Sequence, residues 1–114
     1  MKLADEIKKA VELEVRPSET GDNYFEAVLQ SKDLNALLSI LGQHVGDSLK
    51  SPGKRVKFPK NVNKLVDSIG GLRPDQSFYF KQETNGEYIY VALWPWQSDP
   101  SKTTLKIGTG QFPV

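Results

Sequence analysis

Hydrophobic positions along this 114-residue chain change period several times, and each change marks an element. Leu3, Ile7 and Ala10 or Val11 recur at helical spacing, with Asp5 and Glu6 early and Lys8 and Lys9 late. That charge order suits the helix dipole, so a short helix is predicted over residues 2–10. VELEVRP (11–17) then alternates Val11, Leu13 and Val15 against Glu12, Glu14 and Arg16, the period of a half-buried strand. SETGDN (18–23) is turn chemistry. YFEAVLQ (24–30) alternates again through Phe25, Ala27 and Leu29, while Val28 breaks the pattern and is expected on a half-covered face.

SKDLNALLSILGQHVG (31–46) carries the longest helical stripe, Leu34, Leu37, Leu38, Leu41 and Val45. Ser31 or Asp33 can cap its start and Gly46 its end. Residues 47–60 hold two prolines and a glycine and read as a connection with at most a short strand near Val56. A further helix is predicted from an Asn61 cap through Val62, Leu65, Val66 and Ile69, stopped by Gly70-Gly71, and LRPDQ (72–76) is a turn.

The last third is expected to be sheet. Asn85-Gly86 separates two alternating runs, the pattern of a two-residue hairpin. With that turn, paired residue numbers sum to 171: Phe80 faces Val91, Phe78 faces Leu93 and Gln82 faces Ile89. KTTLKIGTG (102–110) supplies one more strand. The order α-β-β-α-α-β-β-β predicts a single α+β domain, an antiparallel sheet of about five strands with helices mainly on one face.

The 171 register divides the aromatic residues between two faces. Phe78, Phe80, Ile89, Val91, Leu93, Leu105 and Ile107 are expected to face the core. Tyr79, Lys81, Tyr88, Tyr90, Ala92, Trp94, Thr104, Lys106 and Gly108 are expected on the other side, and a one-residue slip would exchange sets. Pro95 ends the strand, and Trp96 is expected to plug one end of the core. The second face could be covered by the chain itself, with rings lying across Gly108 or Gly110. It could also pack on a second copy in a homodimer, wall a small-molecule pocket or stack nucleic-acid bases. The leading expectation is a non-catalytic binding or assembly module that forms a homo-oligomer. Its candidate contact residues are Tyr79, Tyr88, Tyr90, Trp94, Trp96, Lys81 and Lys106. A ligand pocket lined by the same rings, binding or enzymatic, is the alternative.

Composition narrows this picture. Cysteine is absent, which removes disulfides, thiolate nucleophiles and cysteine-held metals. ALLSIL (36–41) is far short of the roughly 20 residues a membrane helix needs. Asp5 and Glu6 stand where a signal peptide would be apolar, so a cytoplasmic protein without membrane attachment is expected. Net charge is +1, but residues 50–64 hold Lys50, Lys54, Arg55, Lys57, Lys60 and Lys64 and no acid. Lys54, Arg55, Lys57 and Lys60 are therefore candidate anion ligands, although the near-neutral total argues against a dedicated nucleic-acid domain. No nucleotide-binding or nucleophile motif occurs, so no cofactor or metal is predicted. The single histidine, His44, lies in the last turn of the second predicted helix, where its charge would suit the free carbonyls. Carboxylates such as Asp75 or Asp99 could act as general acid or base without leaving a motif.

Overall fold

The last strand of the chain becomes the centre of the sheet. In the computed structural model, which describes residues 2–17, 21, 23–83 and 86–112, β5 (Lys102–Gln111) pairs with β2 (Tyr24–Gln30) on one side and β4 (Glu87–Pro95) on the other. The short β1 (Glu14–Val15) flanks β2, and β3 (Ser77–Gln82) flanks β4. The result is a five-stranded antiparallel sheet in the order β1-β2-β5-β4-β3. Helices α1 (Lys2–Ala10) and α2 (Leu34–Val45) pack on one face, and α3 (Lys60–Ser68) packs on the other. The fold is α+β with the expected element order.

The first core forms under α1 and α2. Leu3, Ala4 and Ile7 of α1 and Leu37, Leu41 and Val45 of α2 meet Phe25, Ala27, Leu29, Tyr79, Val91, Leu93, Leu105 and Ile107 from the sheet. Leu38, expected on the α2 stripe, is 37% exposed, because the helix turns only Leu37, Leu41 and Val45 fully inward. Gly46 ends α2 at φ 76°, as expected of a closing glycine. No side chain caps the helix start. The Ser31 hydroxyl donates to the Pro100 carbonyl at 2.8 Å and contacts the Thr103 hydroxyl. The predicted strand over 11–17 contracts to Glu14–Val15, because Val11 still donates to the Ile7 carbonyl and buries itself below α1.

The β3–β4 register differs from expectation by one residue. Phe78 pairs with Ala92, Tyr79 with Val91 and Phe80 with Tyr90, an index sum of 170. The Glu83 amide donates to the Glu87 carbonyl at 2.7 Å, so three residues rather than two lie between the residues of the last bonded pair. Thr84 and Asn85 of the expected turn lie outside the described residues. Gly86 takes φ 78°, the left-handed conformation required at the end of a three-residue hairpin loop. The slip exchanges the faces of β3 alone. Tyr79 enters the first core, whereas Phe78 and Phe80 join Tyr88, Tyr90, Ala92 and Trp94 on the other side.

That other side is a second core, covered by the chain itself. Val62, Leu65 and Val66 of α3 lie against Phe78, Tyr90 and Ala92, with Phe58, Ile69 and Leu72 around them. The α3 stripe and its Gly70-Gly71 stop match expectation, but the helix opens two residues earlier, at Lys60 with Pro59 in the cap position, so Asn61 lies inside the first turn instead of capping it. The segment before α3 touches the sheet at Leu49 and Lys50, whose amides donate to the Phe78 carbonyl, and forms no strand at Val56.

Two glycines of β5 let the tyrosines lie flat. Gly108 faces Tyr90 and Gly110 faces Tyr88, and a methyl group on either would overlap the phenol ring above it. Gly108→Ala is therefore expected to destabilise by about 1–3 kcal/mol through overpacking. Gly42→Ala, inside α2 with open space around it, should stabilise by roughly 0.5–1 kcal/mol. Urea unfolding checks both signs; a neutral Gly108→Ala would contradict the packing.

Candidate functional site

The register and α3 divide the candidate aromatic residues into sealed and open groups. Tyr79 is 8% exposed on the α1–α2 side and belongs to no shared surface with Tyr88 or Trp94. Tyr90 is 7% exposed, with its ring near-parallel to Phe78 at 6.0 Å. Phe58 meets Phe78 edge-on at 5.8 Å. Tyr88 packs between Phe80 at 6.1 Å and Phe112 at 4.8 Å. Tyr90 is thus sealed beneath α3, and Tyr88 is half-buried at one margin of the second core.

Trp94 and Trp96 remain half-open at the opposite end of the same face. Strand alternation brings Trp94 beside Thr104 of β5, and Pro95 is its last strand residue. Trp96 folds back over the sheet rather than plugging the core. Its indole N–H donates to the Thr104 hydroxyl at 2.8 Å, and its backbone amide donates to the Lys102 carbonyl. Each indole carries a cation. The Lys106 ammonium lies 3.4 Å from the Trp94 ring centroid, and Lys102 and Arg16 lie 5.2 and 6.0 Å from that of Trp96. Such contacts are each worth about 0.5–2 kcal/mol, the larger value where water is excluded, as it largely is around Lys106. The Trp94 indole nitrogen is buried and has no hydrogen-bond partner among the described residues.

Glu26 links these groups electrostatically. It accepts from the Tyr24 hydroxyl at 2.7 Å and lies 3.9 Å from both Arg16 and Lys106. A carboxylate this far from water is stabilised by the two cations, and the cations are held over the rings in return. Beside the tryptophans a hollow of about 390 Å³ is bounded by Arg73, Trp94, Pro95, Trp96, Gln97 and Thr104, among others. Arg16 and Glu26 had escaped prediction. The signal was present in the Glu26-Lys106 opposite charges, but only the β2–β5 pairing makes them neighbours.

Lys81 and His44 belong elsewhere. Lys81 stands on the α2 side, 3.8 Å from Glu83 and near the His44 carbonyl, because the shifted register moves it off the Lys106 face. The His44 ring pairs with Glu6 of α1, joining the two helices across their contact instead of capping its own. Both line a cleft of about 760 Å³, with Lys2, Val45, Glu87 and Ile89 among its other walls.

The basic segment also separates by burial. Lys50 is 6% exposed, and its ammonium donates to the carbonyls of Gln76 (2.7 Å), Pro74 (3.1 Å) and Ser51 (3.4 Å). Burial lowers its pKa, with Asp75 opposing. Lys54, Arg55, Lys57 and Lys60 are exposed. The two candidate acids have local partners: Asp75 faces Arg73 at 3.3 Å, and Asp99 accepts from the Ser101 hydroxyl at 2.6 Å. That hydroxyl, with the Ser101 amide and Lys102, holds the Asp99 carboxyl below its ordinary range.

No family profile, curated protein or solved structure matches the chain.

Burial pushes the Tyr90 hydroxyl up to about 12, with Tyr88 and Glu26 adding to the shift. The folded state thus holds this proton more tightly than the unfolded chain, whose phenol titrates near 10. Its stabilising effect is complete below pH 10 and is lost as pH rises through 12, about 3 kcal/mol in all. Unfolding free energies measured from pH 9 to 12 should therefore fall more steeply for the parent than for Tyr90→Phe. Equal slopes would place Tyr90 in water.

Proposed function

We propose that the protein is a non-catalytic binding and assembly module that associates with a second copy of itself through the Trp94–Trp96 end of the second face. The observation that carries this is the pair of half-buried indoles left at the margin of a sheet face that α3 otherwise seals. Tryptophan and arginine anchor interfaces because they offer large apolar area with a polar handle. Charges of both signs lie around the rings: Arg16, Lys102, Lys106 and Arg73 against Glu26, Asp75 and Asp99. Such a patch suits an isologous contact, in which each cation can meet the partner's acid. Tyr79 and Tyr90 have no place in this contact, and Tyr88 lies at the far margin. A stable dimer needs about 800 Å² from each partner, more than two half-buried rings supply, so the expected association is weak.

The 390 Å³ hollow favours a second reading, a small planar ligand held between the indoles with Arg73 beside it. Its volume falls within the roughly 300–1,000 Å³ usual for ligand pockets.

Light scattering across about 1–100 μM protein separates the two. Self-association predicts a mass rising from the 12.8 kDa of one chain towards twice that value. Trp96→Ala should remain monomeric with unchanged circular dichroism. A parent that stays monomeric throughout contradicts the dimer. In that case the ligand reading predicts a fragment whose binding quenches indole fluorescence in the parent and is lost in Trp96→Ala.

A further inference from the structure

Between Ser48 and Val66 the chain holds six basic residues and no acid, and the structure gives this run a fixed path. Its root is pinned by the buried Lys50 ammonium in its carbonyl cage, by the Leu49 and Lys50 amides on Phe78, and by the Gly53 amide on the Pro74 carbonyl. Its far end is pinned by Phe58 on Phe78 and by Val62, Leu65 and Val66 of α3. Between these anchors, residues 54–59 form neither helix nor strand. Lys54, Arg55, Lys57, Lys60 and Lys64 all point outward as exposed residues. None of the five makes an ion pair or a side-chain hydrogen bond among the described residues.

The near-neutral net charge does not cancel this strip locally. Asp5 and Glu6 of α1, which also carries Lys2, Lys8 and Lys9, lie on the opposite side of the sheet, and Glu26 is already engaged by Tyr24, Arg16 and Lys106. Five unpaired cations on a stretch spanning at most about 25 Å form a concentrated positive field.

We propose that this strip, Lys54–Lys64, binds the phosphodiester backbone of nucleic acid without reading bases. Composition decides the class of partner. Four of the five cations are lysines, which act on phosphate as mobile point charges. Protein interfaces are depleted in lysine and need an apolar centre. Between Lys54 and Lys64, Val56 is the sole exposed large apolar residue. Phe58, its one aromatic, is turned inward against Phe78, so no ring is offered for base stacking. Binding should therefore be independent of sequence and strongly dependent on salt.

The strip is independent of the Trp94–Trp96 patch, so the two proposals fail separately. Fluorescence anisotropy with a labelled random-sequence DNA duplex, and with one of its strands alone, tests the strip. If all five cations engage phosphates, duplex affinity should fall about 500-fold between 50 and 200 mM salt, from a slope near −4.5. K54Q/R55Q/K57Q should bind more weakly at 50 mM and lose only about 12-fold over the same range. Its thermal midpoint should match the parent, since all three residues are exposed. Comparison of the two DNA probes shows whether the phosphates must come from a duplex, and Trp96→Ala should bind as the parent does. No binding at about 100 μM protein in 50 mM salt would overturn the proposal. So would an unchanged salt slope in the triple variant, or tighter binding to polyglutamate than to either DNA, which would assign the strip to an acidic protein.

Discussion

The pairing register of β3 with β4 is the constraint from which the arrangement of this protein follows. Because side chains alternate, a one-residue shift reverses a whole strand. The three-residue connection closed by Gly86 sends Phe78 and Phe80 to the α3 side and Tyr79 to the α1–α2 side. Phe78 then becomes the floor of the second core, fully buried and in contact with Phe58 and Tyr90. In the alternative register α3 would meet Tyr79 and Lys81 instead, and its apolar stripe would rest on a charged side chain. Each buried aliphatic residue of that stripe contributes about 1.5–3 kcal/mol, enough to decide between the two registers.

Backbone openness in the central strand complements this. Gly108 and Gly110 leave gaps that Tyr90 and Tyr88 fill with their rings lying flat, so the second face is smooth enough for a helix to cover. That cover stops short of Trp94 and Trp96. There the sheet is finished by long side chains instead of a helix: Arg16, Lys102 and Lys106 lie over the indoles, and Glu26 balances two of them. One face thus carries a dry aromatic core and a polar, half-wet aromatic margin, and the binding role proposed for the protein rests on the margin.

Much of the fold was legible in the residue pattern. The three helices, the α+β class, the core faces of β2, β4 and β5, and rings crossing Gly108 and Gly110 all follow from local periodicity and composition. What stayed hidden depended on long-range pairing. Asn85-Gly86 resembles the centre of a two-residue turn, yet the last paired residue before the loop is Glu83 rather than Thr84, and nothing local in the sequence signals that difference. The Glu26–Lys106 and Glu6–His44 pairs, separated by long stretches of chain, are brought together only by strand order and helix packing. Lys50 looked like one more member of a basic run, and its burial is settled by three carbonyls supplied mainly by the 74–76 turn.

The register can be measured directly. Phe78 turns its backbone amide and carbonyl outward to the Leu49–Lys50 segment, so Phe78 and Ala92 form a non-hydrogen-bonded pair with closely apposed Cα atoms. Nuclear Overhauser spectra of the labelled protein should show strong Hα–Hα contacts between Phe78 and Ala92 and between Phe80 and Tyr90. Hα–Hα contacts pairing Tyr79 with Ala92 and Lys81 with Tyr90, the non-hydrogen-bonded pairs of a two-residue Asn85-Gly86 hairpin, would contradict the account, because that register returns Tyr79 to the tryptophan face and takes Phe78 out from beneath α3.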